Sequence, residues 1–274
     1  MFFRVISWIK NLTETLTETL IPIDTGRKQP YMLEITRQDV KFRGLPAELE
    51  GKTFIQLSDM HGGFANTEPV FEQAITIVNE AQTEYIFFTG DFIDDHAKNI
   101  FPIDTYLRQF QAKRGKFGCF GNHEHRRGVV GSRRIIEKGD IRLLNNENVC
   151  LDGGLRLVVV DELYEGKPDI PRAFSGVSND ETSLVLSHHP RLVERIPERD
   201  VVILSGHTHG GQISLPILTP KIVCLLHLHC RQVAGWYENG KARLYVNRGL
   251  GVTGRPFRRN CPAEIAIFTM RTDS

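Results

Sequence analysis

The sequence predicts a layered α/β domain on three observations. Eight short apolar runs, rich in Ile, Val, Phe and Leu, have the length of buried strands: 53–58, 85–90, 116–121, 156–160, 183–187, 201–206, 243–247 and 264–270. Between the first two, residues 68–82 carry Val70, Phe71, Ala74, Ile75, Val78 and Ala81 at helical spacing. Five of the runs end in a tip built from Asp, His or Asn. Strands alternating with helices form layers, and in open α/β sheets ligands gather beyond the carboxyl ends of the strands.

The chain opens with MFFRVISWIKNLTETLTETLI. Phe2, Val5, Ile9, Leu12, Leu16 and Leu20 recur at gaps of three and four, so residues 1–21 predict an amphipathic helix. Its second half is the weaker, because threonines are poor helix formers. Two readings stand. The segment is an interfacial helix, with aromatics in the headgroup region and Arg4 and Lys10 near anionic lipid, or it docks on protein, either its own domain or a second subunit. Pro22 and the following DTGRKQP mark a linker. The expected division is therefore 1–45 as helix and linker and 46–274 as the main domain.

The tips decide the chemistry. Asp59 and His61 follow the first run, and Asp91 and Asp94 the second. Asn122 and His123 follow the third, His188 and His189 the fifth, and His207 and His209 the sixth. Along extended backbone, residues two apart point the same way, so Asp59/His61 and His207/His209 can each grip a common centre. Adjacent residues point to opposite faces, so only one of His188 and His189 is expected to serve that centre. Asp and neutral His are ligands for divalent transition metals. One Asp-x-His pair would be weak evidence; five such tips predict a metal site.

Composition bounds the alternatives. The 274 residues carry a formal net charge of +1 and are 41% hydrophobic, enough for a full core. That balance gives no global pull toward nucleic acid, and no nucleic-acid partner is expected. Seven Lys/Arg face two acids from Lys241 onward, which makes Arg255, Arg258 and Arg259 candidate contacts for an anionic substrate. The five cysteines form no C-x-x-C pair and read as reduced thiols of a cytoplasmic protein. No run approaches the ~20 apolar residues of a membrane span, and no secretory signal is expected. The HLHC run at 227–230 lacks a second pair at zinc-finger spacing and reads as incidental.

The set DMHG, GDFID, GNHE and GHTHGGQ resembles the calcineurin-like metallophosphoesterases, and in particular a bacterial subfamily marked by GHTHGGQ. The resemblance implies a four-layer α/β/β/α sandwich holding two divalent metal ions, of Mn, Fe or Zn. It assigns Asp59, His61 and His209 to one metal, Asn122, His188 and His207 to the other, and Asp91 as the bridge. His123 falls at the position of the leaving-group residue, and Asp94 at one that orients a ligand or the turn. The implied reaction is in-line hydrolysis of a phosphoester. The cations lower the pKa of a shared water toward ~7, and His123, as imidazolium, assists the leaving oxygen. The subfamily pattern makes His188 the ligand of its pair and His189 a supporting or rim group.

The substrate is less legible. Asp95 and His96 occupy the place of the arginine that marks protein phosphatases of this superfamily. The apolar run at 215–230 offers either a surface for an acyl chain or an element of the core. Among relatives, the resemblance extends to UDP-2,3-diacylglucosamine pyrophosphatases of lipid A assembly. The expectation is thus a phosphodiester or diphosphate hydrolase acting on a lipid-linked nucleotide, peripheral on the inner membrane if the N-terminal helix is interfacial. The alternatives are a soluble nucleotide phosphodiesterase or phosphomonoesterase, and a scaffold without activity.

Overall fold

The computed structural model describes residues 19–23, 31–64, 67–97, 102–179, 181, 183–196, 198–214 and 230–273. Residues 1–18 of the helix expected at 1–21, the DTGRKQP linker and residues 215–229 of the apolar run lie outside the described residues, while residues 19–21 are strand where helix was expected. The first half of the chain contributes β1 (Thr19–Ile23), β2 (Tyr31–Arg43), β3 (Thr53–Leu57), α1 (Glu68–Glu80), β4 (Tyr85–Phe88), α2 (Ile103–Gln109), β5 (Gly115–Gly118), α3 (Asn122–Arg127), α4 (Val129–Glu137) and β6 (Arg142–Leu143). The second half contributes β7 (Glu147–Cys150), β8 (Arg156–Val159), α5 (Ile170–Ala173), β9 (Ser183–Leu186), β10 (Val201–Ser205), β11 (Gly235–Asn239), β12 (Ala242–Val246) and β13 (Ala263–Asp273).

These strands form two sheets, ordered β1-β2-β13-β3-β4-β5-β6 and β11-β12-β10-β9-β8-β7. Their facing surfaces make the central core. Phe54, Tyr85, Phe87 and Phe117 from the first sheet meet Leu157, Leu184, Leu186, Val202 and Leu204 from the second. Alternate residues serve the outer faces: Ile55, Leu57, Ile86 and Phe88 pack under α1 and α2, while Val158, Val185 and Ile203 pack with Ala173 of α5 and Leu192. Strands buried on both faces read as continuous apolar runs, which is why those runs were visible in the sequence. In α1, Val70, Phe71, Ala74, Ile75 and Val78 are buried, each large side chain contributing roughly 1.5–3 kcal/mol. The expected four layers, helices over two sheets over helices, are present.

The expected boundary at residue 46 is corrected. β2 pairs in parallel with β13 along the whole of β13, from Leu33 opposite Ala263 to Arg43 opposite Asp273, and β1 pairs antiparallel with β2. Residues 19–23 and 31–43 are therefore part of the main sheet. Leu20 lies in an edge strand, and so does Pro22, where a missing N–H costs little. The polar residues that disguised β2 are satisfied from afar: Glu34 pairs with Arg248, and Thr36 donates to Glu264 Oε1 at 2.9 Å. Among the described residues no helix is long and apolar enough to cross a membrane.

The strands β3, β4, β5 and β6 run parallel, as do β8, β9, β10 and β12. Each sheet therefore gathers its carboxyl ends at one edge, and the tips of the two sheets meet at a common end.

Candidate metal centre

Asp59 and His61 follow β3, Asp91 follows β4, Asn122 opens α3 after β5, His188 follows β9, and His207 and His209 follow β10. The backbone does not converge in the expected way. Asp59, His61, Asp91, His207 and His209 all lie at positive φ, between 48° and 72°. The i, i+2 pairs thus share a centre through left-handed turns, not through the pleat of extended strand. Non-glycine residues in that region cost on the order of 1–3 kcal/mol each, which the surrounding ladder offsets. Asp59 N–H donates to Gly90 O at 3.0 Å, His61 N–H to Asp91 O at 3.0 Å, and Gly251 N–H to Asp59 O at 2.7 Å.

Two clusters of ligand atoms result. In the first, His61 Nε2 lies 3.0 Å from His209 Nε2, and His209 Nε2 lies 3.3 Å from Asp59 Oδ1. In the second, His188 Nε2 lies 3.1 Å from both Asn122 Oδ1 and His207 Nδ1, and His207 Nδ1 lies 2.9 Å from Asn122 Oδ1. Asp91 joins them, with Oδ2 at 3.6 Å from His61 Nε2 and 3.2 Å from His188 Nε2. All the residues sequence reasoning assigned as ligands are brought together.

Donor chemistry decides that these clusters fit cations. His188 Nδ1 donates to Thr89 O at 2.7 Å, and His61 Nδ1 faces Asp94 Oδ2 at 3.1 Å. In a neutral ring the outward proton then leaves a lone pair on the inward Nε2. Lone pairs and carboxylate oxygens facing one another at about 3 Å repel unless a cation or proton lies between them. The residues fit one divalent ion in each cluster, with nitrogen and oxygen donors and no thiolate.

The metal-free charges show the same need. For Asp59 and Asp91 burial opposes ionisation, but the neighbouring histidines win and hold both carboxyls well below the usual range. Burial also opposes a charged His188, yet Asp91 prevails and its pKa is pushed up to about 10. Burial, reinforced by other cationic rings, pushes His207 down to about 3; burial also dominates at His209, at about 4.

His123 stands beside the clusters, its ring edge-to-face with His61 at 4.5 Å and its Nε2 3.9 Å from Asp91 Oδ2. Asp95 meets its Nδ1 twice, by an aligned backbone N–H at 3.1 Å and by carboxylate Oδ1 at 2.7 Å. The two contacts fix the orientation of the ring from its Nδ1 side and leave Nε2 facing the clusters. Burial lowers the pKa of this ring against the pull of Asp91.

Asp94 holds His61 as expected and also accepts His96 N–H at 2.8 Å. His189 is no rim group: it is buried, accepts Arg191 N–H on Nδ1 at 3.2 Å, and lies with its ring 4.3 Å from that of His207. Arg255 is exposed and is held through its backbone, its carbonyl accepting from Gln212 Nε2 at 2.9 Å and its N–H donating to Thr253 O. The arginine that reaches a ligand is Arg258, whose guanidinium donates to His209 O at 3.1 Å and to the carbonyls of Arg248 and Gly251 at 2.6 and 2.8 Å.

Sequence reasoning missed Glu124. Its carboxylate accepts the N–H groups of Asp91 and Gly121 at 2.9 Å and of Ile93 at 3.0 Å, clamping two ligand-bearing loops together. Burial, then the charge of Asp91, raises its pKa to about 7 against the pull of those donors. An acidic residue at the third position of a helix, reaching back to its N-cap, is a signal that could have found it.

The profile of the calcineurin-like phosphoesterase family matches residues 52–211. An uncharacterised metallophosphoesterase of Bacillus subtilis, YkuE, is 32% identical over 89% of this chain and 87% of its own length. One of Campylobacter jejuni, Cj0846, is 32% identical over 91% of this chain, which spans 65% of that relative. A protein of Chlamydia muridarum named UDP-2,3-diacylglucosamine pyrophosphatase LpxG is 24% identical over 98% of both chains.

Proposed function

The chain belongs to the calcineurin-like phosphoesterase family and is a hydrolytic enzyme, and from that premise we propose that it cleaves a phosphodiester or diphosphate bond at a dinuclear metal centre. The observation that carries this is the sharing of Asp91 between two clusters of inward-facing lone pairs. Asp59, His61 and His209 would hold one divalent ion, Asn122, His188 and His207 the other, and Asp91 both. When bound, such a pair supplies Lewis-acid neutralisation of phosphate charge and activation of water.

The rest is the work of the protein's own groups. His123 would assist the leaving oxygen from Nε2, its ring oriented by the Asp95 contacts at Nδ1; general-acid help is typically worth ~10²–10⁴-fold. Asp94 and Thr89 O fix the rings of His61 and His188. Glu124 and Arg258 keep the loops that carry Asp91 and His209 in place.

For the substrate, the likeness to two proteins named UDP-2,3-diacylglucosamine pyrophosphatase, over 98% and 88% of this chain, supports a lipid-linked nucleotide diphosphate first. A soluble nucleotide phosphodiester is the second candidate. The test is a Mn²⁺-supplemented panel comparing UDP-2,3-diacylglucosamine, simple nucleotide phosphodiesters and phosphomonoesters. The reading predicts the highest kcat/KM on the lipid-linked diphosphate. Preference for a soluble monoester would overturn the substrate, and absence of turnover on every member would overturn the reaction.

A further inference from the structure

Tyr164 combines exposure with anchoring contacts. Its side chain is 52% exposed, yet it is held on two sides. Arg191 Nη1 donates to its hydroxyl, and its ring meets the buried ring of His189 edge-to-face at 4.8 Å and 68°. His189 in turn lies 4.3 Å from the ring of His207. Two ring-to-ring steps thus separate the exposed tyrosine from a candidate metal ligand.

The loop beneath it is built to stay still. Asp161 Oδ1 accepts from His125 Nε2 at 2.7 Å and Oδ2 accepts Lys167 N–H at 2.9 Å. Asn146 Oδ1 takes the N–H groups of Asp161 and Asp169 at 3.0 and 2.9 Å, and Glu162 takes the N–H of Tyr164 at 2.7 Å. His125 belongs to α3, the helix that begins with Asn122, so the loop is fastened to the element that carries a candidate metal ligand. An aromatic side chain left half in water while its loop is so constrained is a preorganised contact surface: a ligand stacking on it need not order it first. Arg191 is itself fixed by Glu194, to which its Nε and Nη2 donate at 3.2 and 3.1 Å, so the group that holds the tyrosine hydroxyl is also anchored.

We propose that Tyr164, backed by His189 and Arg191, is a stacking platform for the base of a nucleoside phosphate whose phosphate lies at the metal centre. The proposal rests on the hydrolase reading above for the place of the phosphate, and it narrows the substrate to one with a nucleoside on one side of the scissile bond. Base–aromatic stacking is typically lost by about tenfold or more in affinity on removal of the ring.

The test is equilibrium titration of the Mn²⁺-loaded protein with UMP and with ribose 5-phosphate, which differ only in the base at the far end. The wild type should bind UMP at least about tenfold more tightly. Tyr164→Ala should bring UMP to the affinity of ribose 5-phosphate without changing the latter, and Tyr164→Phe, which retains the ring, should preserve the preference. Equal binding of both ligands by the wild type, or an equal loss for both in Tyr164→Ala, would overturn the platform. The hydrolase reading fails separately: a protein that prefers UMP through Tyr164 but cleaves no phosphoester would sink the reaction and support the platform.

Discussion

Nε2 of His188 stands 3.2 Å from Oδ2 of Asp91, in a place where either a proton or a cation can balance the carboxylate. The metal-free protein uses the proton. His188 has its folded pKa raised from 6.5 to about 10, so its contribution to the stability of the metal-free protein is fully present below pH 6.5 and is lost as pH rises through about 10. A cation competes with that proton. Metal affinity should therefore climb with pH across the window from 6.5 to about 10, and metal uptake should release protons. Calorimetric titration of metal into the apoprotein, in buffers of different ionisation enthalpy, measures both. A flat affinity with no proton release would show that His188 does not guard the site.

The neighbouring histidines separate by role. His188→Ala should lower the bound metal by one equivalent, because its Nε2 faces Asp91, Asn122 and His207 together. His189→Ala should retain both equivalents, since its Nδ1 is spent on Arg191 N–H. Elemental analysis of the purified variants distinguishes the two, and metal loss from His189→Ala alone would reverse the assignment.

Gly121 is confined by Asp91. A Cβ there would fall 2.2 Å from Asp91 Oδ1 and 2.5 Å from its backbone nitrogen, so Gly121→Ala must displace the shared carboxylate. Since misplacing a reacting group by about 1 Å can cost on the order of 100-fold, kcat should fall by at least that much while the far-ultraviolet circular dichroism spectrum is retained. Wild-type turnover in this variant would mean that Asp91 does not need its observed position.

Much of this was legible in the sequence because strands covered on both faces are apolar throughout, and because the tips carry chemistry that turns rarely need. What escaped has a common cause. β2 escaped because Glu34 and Thr36 are satisfied by Arg248 and Glu264, more than 200 residues away, so its polar positions look like a linker. The backbone of the tips escaped because only packing tells whether an Asp-x-His segment is extended or left-handed. Arg258 could not be told from Arg255 or Arg259, since the three differ only in which one turns inward.

That inward turn is itself testable. Arg258 serves several buried carbonyls at once, besides the hydroxyl of Tyr31 at 3.2 Å. Leaving each buried acceptor unpaired costs ~1–3 kcal/mol, so Arg258→Ala should lose about 3 kcal/mol or more in denaturant unfolding. Arg258→Lys should not recover it, because an ammonium cannot reproduce the planar fork. Arg255→Ala should leave the unfolding midpoint unchanged.

The shared carboxylate carries the whole account, and Asp91→Asn examines it most directly, with metal content and phosphodiester turnover measured on one preparation. If Asp91 serves both clusters, the Mn²⁺-supplemented wild type holds about two equivalents of divalent metal and hydrolyses the substrate measurably, as expected of a two-metal site, and the variant folds but loses both metal and turnover. An Asp91→Asn protein that keeps its metal and its rate would contradict that role.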